Sequence, residues 1–231
     1  MTKRKIAYWV MPPEHDAECV AGMEEVLETS TAAYDPQPPG LGMDAQPLQL
    51  LKETRVPIAA TKKHGKRVDD AYERHGTASL VMCAEPLSGC RPATARGRRT
   101  KADGALEVAQ RLDTRSADCA EGPRVCDHLN THTTGAFYEA FAPERARASI
   151  KRLHFCDTPQ HGRWLHVAAC ALSCLTSQCL SARRIGALTA LQTDIAAWSE
   201  KTNAKQRGVD WQCRLENARV KLRRLYPKIK V

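Results

Sequence analysis

Two aspartates stand where apolar runs give out: Asp44 in Met43-Asp44-Ala45-Gln46-Pro47, and Asp127 in Val125-Cys126-Asp127-His128-Leu129. A carboxylate at such a place can lean out from a sheet edge while its backbone stays anchored. If the two strands are neighbours, the pair can share a hard divalent cation, Mg²⁺ or Mn²⁺, which takes carboxylate and water oxygens. Paired ions of this kind activate the attacking and the leaving oxygens of a phosphodiester. Taken alone, a strand-end aspartate reads as an ordinary turn or cap residue. The chemistry therefore depends on adjacency.

The elements that would supply it follow from periodicity. Residues 14–33 set Cys19, Val20, Met23, Val26 and Leu27 at helical spacing, with acids on the other face. Asp35-Pro-Gln-Pro-Pro-Gly40 forces an extended break. A strand over 41–51 carries Asp44, and residues 52–76 are polar and basic. Strands at 77–86 and 90–98, joined by a turn at 87–90, predict a hairpin. Residues 103–113 read as a helix, 123–132 as a brief strand ending at Asp127, and 135–149 as a helix interrupted near Pro143. A strand over 150–159, helices over 164–180 and 185–202, and a basic amphipathic helix and tail from Trp211 complete the chain. Strands and helices in this order predict an α/β fold on a central mixed sheet. They divide into an N-terminal helix and linker (1–38), a main domain (39–203) and a basic C-terminal helix and tail (204–231).

At 231 residues the chain can bury a core of ordinary domain size, and with 5% aromatics that core rests on Leu, Val, Ile and Ala. Lys and Arg outnumber Asp and Glu by 35 to 26, a formal charge of +9, which suits a polyanionic partner. One basic cluster is Lys62, Lys63, Lys66 and Arg67; a second is Arg96, Arg98, Arg99 and Lys101. Both flank the predicted hairpin and read either as phosphate contacts or as solvated loop charges. The C-terminal group Arg219, Lys221, Arg223, Arg224, Lys228 and Lys230 reads both ways too. No apolar run reaches the ~18 residues of a membrane helix, and Pro12, Pro13 and Glu14 end the opening before a signal peptide could form. A cytoplasmic location is expected, with the ten cysteines in a reducing compartment. None of them forms a CxxC pair. His166, Cys170 and Cys174, with Cys179 and His161 nearby, are read as a buried Ala/Cys helix face with a chance histidine rather than a zinc site, since zinc ligands usually sit on a loop or knuckle. Asp127 with His132 could serve a hydrolase, but no serine elbow, reactive-cysteine motif or phosphate loop accompanies them.

The words around the aspartates are more specific. Met-Asp-x-Gln-Pro, then Val-Cys-Asp-x-Leu-Asn-Thr-His, then Pro-x-His-Gly-x-Trp-Leu-x-Val-Ala, in that order, resemble the catalytic domain of the mariner-related bacterial insertion-sequence transposases. The resemblance runs from about residue 5 to the C-terminus. It implies a ribonuclease-H-like fold (the retroviral integrase superfamily): a five-stranded mixed sheet flanked by helices, with a DDE acid triad on the first strand, the fourth strand and a late helix. Asp44 and Asp127 match the first two acids. The third should follow Trp-Leu-Asn-x-x-Glu, but here the segment reads Trp164-Leu165-His166-Val167-Ala168-Ala169. The glutamate is Ala169. No Asp or Glu lies between Asp157 and Asp194, so a one-turn shift cannot restore it, and Asp157 lies in a loop. Cys83, Cys90 and Cys213 stand where such domains carry aromatic residues, and Ala45 where an acid is usual, as in a decaying gene copy.

The resemblance implies metal-dependent DNA strand cleavage and transfer, with Mg²⁺ or Mn²⁺ held by Asp44 and Asp127. DNA, both transposon ends and target, would be the partner, a homodimer a candidate assembly, and the bacterial nucleoid the location. With Ala169 in place of the acid, metal binding and cleavage are expected to be weak or lost. Residues ahead of Asp44 are too few for the helix-turn-helix modules of mariner-type enzymes, so end recognition is expected to be missing. The alternative is a catalytically silent remnant that binds DNA or dimerises.

Overall fold

Short apolar runs build the centre of the computed structural model, which describes residues 16–32, 40–115, 124–126 and 133–228. Strand β1 (Leu41–Glu53) pairs antiparallel with β2 (Tyr72–Ala84), and β2 with β3 (Ala93–Arg96). On the other side of β1, β4 (Arg124–Cys126) runs parallel to it, and β5 (His154–Cys156) runs parallel to β4. The order across the sheet is β3-β2-β1-β4-β5. Its main part is the three antiparallel strands β1 to β3, and the described parts of β4 and β5 are three residues each. Among the described residues β4 pairs with β1 only at Leu41 and Gly42, and further along the strand stands Pro47, which cannot donate to a ladder. At Leu51, past a register shift, the backbone N–H bonds the carbonyl of Ile185.

Helices cover both faces. Leu80, Met82 and Ala84 of β2 pack with α5 (Val167–Leu175) and α6 (Leu188–Asn203), through Leu172, Leu175, Leu191 and Ile195. The intervening Val81 and Cys83, with Leu41 and Met43 of β1, pack against α2 (Lys101–Arg115) and α3 (Thr134–Ala140), through Val108, Leu112 and Phe137. Each fully buried leucine or methionine in these layers contributes on the order of 1.5–3 kcal/mol over exposure. Pro143 opens helix α4 (Pro143–Lys151) at its first turn, where the missing N–H costs nothing, so the predicted helix over 135–149 is two. The helix predicted over 164–180 is likewise divided. A 3-10 turn at Arg163–Leu165 precedes α5, and a π turn at Thr176–Leu180 follows it.

The ends of the chain meet in a third cluster. Helix α1 (Ala17–Thr31), capped by Asp16 accepting from the Cys19 N–H, buries Met23, Val26 and Leu27 with Cys156, Leu165, Ala218 and Leu225. Ala218 lies on α7 (Leu215–Lys221), and Arg219 of that helix makes a two-point bond to Glu24. Arg219 is thus held by α1, so the phosphate-contact reading does not apply to it.

Candidate metal centre

Asp44 is the fourth residue of β1 and only 8% exposed. Its Oδ1 accepts from the Ala45 backbone N–H at 2.8 Å. The pleat puts Asp44 on the same side of the sheet as Gly42, and the closest groups over Gly42 are the backbone nitrogen and Cβ of Ala168 on α5. Asp44 therefore belongs to the face that α5 covers. Among the described residues no Lys, Arg or His pairs with it. A buried carboxylate lacking a counter-charge is costly, so a cation is what this position calls for.

Gly42, Cys126 and Cys156 lie in one row across β1, β4 and β5. The adjacency that the chemistry required is thus present at the level of strands: β4 runs beside β1 and ends at Cys126, one residue before Asp127. Asp127 itself lies outside the described residues, as do His128 and His132. Ala169, in the first turn of α5, is half-buried beside Ala168, and that turn carries no acid. Asp157 follows β5 and is exposed. Two strand spacings, roughly 10 Å, separate β5 from β1. Among the described residues no group of three or more His, Cys, Asp or Glu side chains could hold a metal. Asp44 alone of the expected ligands is in view, and it fits as a ligand.

The reading of His166, Cys170 and Cys174 as a buried face is corrected. His166 is buried, but Cys170 and Cys174 point to solvent, and the buried stripe of α5 is Ala168, Ala171, Leu172 and Leu175.

The basic residues separate into two kinds. Lys62, Lys63, Lys66 and Arg67 are exposed in the connection at the far end of the β1–β2 hairpin, not beside the β2–β3 hairpin. That connection is pinned by the Ile58–Arg67 bridge and a turn in which the Thr61 N–H bonds the His64 carbonyl. Arg98 and Arg99 are exposed between β3 and α2, and Lys101 is exposed at the first position of α2. Arg96 is not available in the same way. Its guanidinium donates to Glu107 Oε1 at 2.7 and 3.0 Å and reaches Asp103 at 3.4 Å. Glu107 is buried, and Thr94 donates to the same oxygen. Sequence reasoning missed this network although it had a signal: Glu107 lies between Leu106 and Val108, within the buried stripe of α2, where a carboxylate needs a cation. Asp103 is held below its ordinary range, burial being outweighed by bonds from Thr100 and by the Arg96 charge.

No protein-family model and no curated protein matches the chain. Solved structures do. The fold overlays on the crystal structure of the Mos1 mariner paired end complex with Mn at a TM-score of 0.52 and 11% identity, over 89% of this chain and 62% of that one. The Mos1 strand transfer complex matches at a TM-score of 0.52 and 12% identity, over 89% of this chain and 63% of the other. At this identity the likeness establishes a shared mixed α/β fold. The chain spans less than two thirds of the length of each of these two Mos1 chains. No helix among the described residues is long and apolar enough to cross a membrane.

Proposed function

We propose that this chain is a mariner-like, ribonuclease-H-like transposase catalytic domain that binds DNA and a divalent metal ion and is impaired in strand cleavage. The observation that carries the reading is Asp44. It is a buried carboxylate with no cationic partner among the described residues, on a strand beside β4, and it faces a helix whose first turn holds Ala169. The Mos1 likeness supports the fold, and one of those structures is a complex with Mn. Asp44 and Asp127 are the ligands in this reading. A bound Mg²⁺ or Mn²⁺ would supply charge stabilisation to a phosphodiester under attack by water or a 3′-hydroxyl. Asp44 would hold the ion on the rigid part of β1. Ala169 offers no oxygen where a further ligand belongs, and losing even an indirect partner of a metal costs about 10–100-fold in affinity or activity. The exposed Lys62, Lys63, Lys66, Arg67, Arg98, Arg99 and Lys101 would take DNA phosphates; Arg96 would position α2 instead.

Calorimetric titration with Mn²⁺, beside a cleavage assay on end-labelled DNA, tests the reading. Weak binding that Asp44→Asn abolishes, with little cleavage by the unaltered chain and a gain on Ala169→Glu, is the expected result. Robust cleavage by the unaltered chain would refute the impairment. Binding of Mn²⁺ that is indifferent to Asp44 would refute the site. The same Ala169 favours a second reading, a silent DNA-binding or dimerising remnant. Salt-dependent DNA binding with no cleavage even after Ala169→Glu would select it.

A further inference from the structure

A second basic site lies away from Asp44, in a pocket of about 150 Å³ between the β2–β3 turn, the end of α5 and the end of α6. Three cations line it, Arg91, Lys205 and Arg207, together with Thr202, Gln178 and the indole of Trp198. Among the described residues none of the three cations makes an ion pair with a carboxylate, whereas Arg96, Arg145, Arg183, Arg184 and Arg219 all do. No Asp or Glu lines the pocket.

The walls are fixed by bonds that leave those charges uncompensated. The Arg91 backbone N–H donates to Asn203 Oδ1 at 2.7 Å, and its Nη2 donates to the Arg207 carbonyl at 2.9 Å. Its Nε is buried and has no hydrogen-bond partner. The Ala93 N–H donates to Ser199 Oγ on α6, and the Val209 N–H to the Pro86 carbonyl. Gly89, at φ 75°, lets the turn come so close to the Arg207 backbone that a Cβ would collide with it. Trp198 is half-buried, with its indole N–H held by Gln178 Oε1 at 3.0 Å. A pocket with three cations unpaired among the described residues, a buried guanidinium N–H and an oriented aromatic ring suits an anion carrying a flat ring.

We infer that this pocket binds a nucleotide unit, its phosphate on Arg91, Lys205 and Arg207 and its base against Trp198. Cationic contact to phosphate and base–aromatic stacking together are what single-stranded nucleic acid uses. The source is either a free mononucleotide or one unit of a strand. The site needs neither metal nor Asp44, so it stands or falls separately from the transposase reading.

The test is run on the full chain in EDTA, which silences any metal-dependent site. Tryptophan fluorescence is titrated with dAMP and with inorganic phosphate, and anisotropy is measured with a fluorescein-labelled single-stranded dodecamer. Lys205→Gln/Arg207→Gln changes two side chains that make no structural bond among the described residues, so an unchanged melting temperature is expected. The double variant should bind the dodecamer at least about tenfold more weakly, with the slope of log K against log salt shallower by up to about 0.7, the share of the one phosphate that the pocket holds. Trp198→Phe should retain most binding and Trp198→Ala should lose about tenfold. If dAMP binds as the dodecamer does, the source is a free nucleotide; if only the dodecamer binds, it is a strand. Binding of phosphate equal to that of dAMP would overturn the base contact. Full dodecamer binding by the folded double variant, or no binding of dAMP and dodecamer by the unaltered chain, would overturn the site.

Discussion

Gly42 on β1 and Ala168 on α5 meet with almost nothing between them: a Cβ added at Gly42 would lie 3.6 Å from the Cβ of Ala168. That contact seats the first turn of α5, and with it Ala169, on the strand that carries Asp44. Since 3.6 Å is ordinary van der Waals contact, Gly42→Ala is expected to change stability by less than about 0.5 kcal/mol. Gly42→Leu must push the helix off the strand, at a cost of about 1–3 kcal/mol. Urea denaturation of the two variants checks this, and equal midpoints would mean that α5 does not ride on β1.

Restoring an acid at Ala169 is expected to raise Mn²⁺ affinity by about 10–100-fold, the range that loss of a metal's supporting partner costs. The gain must disappear in the Asp44→Asn background if, as proposed, both side chains serve one site. Isothermal titration of the single and double variants separates this from a new surface site, which would persist without Asp44.

Arg96 and Arg98 are neighbours in sequence with opposite expectations. Arg96→Ala leaves the Glu107 carboxylate buried without its cation, which costs about 3–5 kcal/mol and shows as an early thermal transition. Arg98→Ala, altering an exposed side chain, should leave the transition within about 0.5 kcal/mol of its place. If the exposed residue touches DNA, Arg98→Ala also makes the salt dependence of duplex binding shallower by about 0.9.

The bond between the chain ends predicts a pH dependence. The Arg219 guanidinium is the main cause that holds the Glu24 carboxyl below its ordinary value, and the Tyr226 hydroxyl donates to the same carboxylate. A carboxylate lowered on folding contributes its full stability above its unfolded value, near 4.5, and loses it as pH falls through the lower folded value. Tyr226 is pushed up to about 12, first by burial and then by Glu24. Its contribution is complete below the ordinary tyrosine value near 10 and declines as pH rises toward 12. Thermal melts from pH 2 to 6 should steepen for the unaltered chain and flatten for Glu24→Gln. Parallel curves would rule out the pair as a pH-dependent tie.

Gly89 combines a left-handed backbone with a collision between its absent Cβ and Arg207. Gly89→Ala is therefore expected to cost at least about 1–3 kcal/mol, and to shift fluorescence from Trp198 if it opens the wall of that pocket. An unchanged melting temperature would show that the turn can move away freely.

Local signals in the sequence carried much of the architecture. Apolar runs marked the cores of β1 and β2, in which Leu41 and Met43 pack on one face of a doubly covered sheet and Leu80 and Met82 on the other. Helical spacing of Met23, Val26 and Leu27 marked α1, and Asp44 was legible because an acid interrupts an apolar strand. The outer half of the β1–β2 hairpin was not legible: residues 72–77 are exposed on both faces, so no apolar pattern survives there, and pairing with Gln49, Leu51, Lys52 and Glu53 makes them a strand. Arg96 looked identical to Arg98 in a basic run, because nothing local says which guanidinium will find the buried Glu107. Tertiary structure alone decided that Asp44 faces α5 and that Arg91 meets Lys205 and Arg207 beside Trp198. Arg91 stands more than a hundred positions before the other three, and their meeting is set by how helices close over a sheet, which short-range periodicity does not encode.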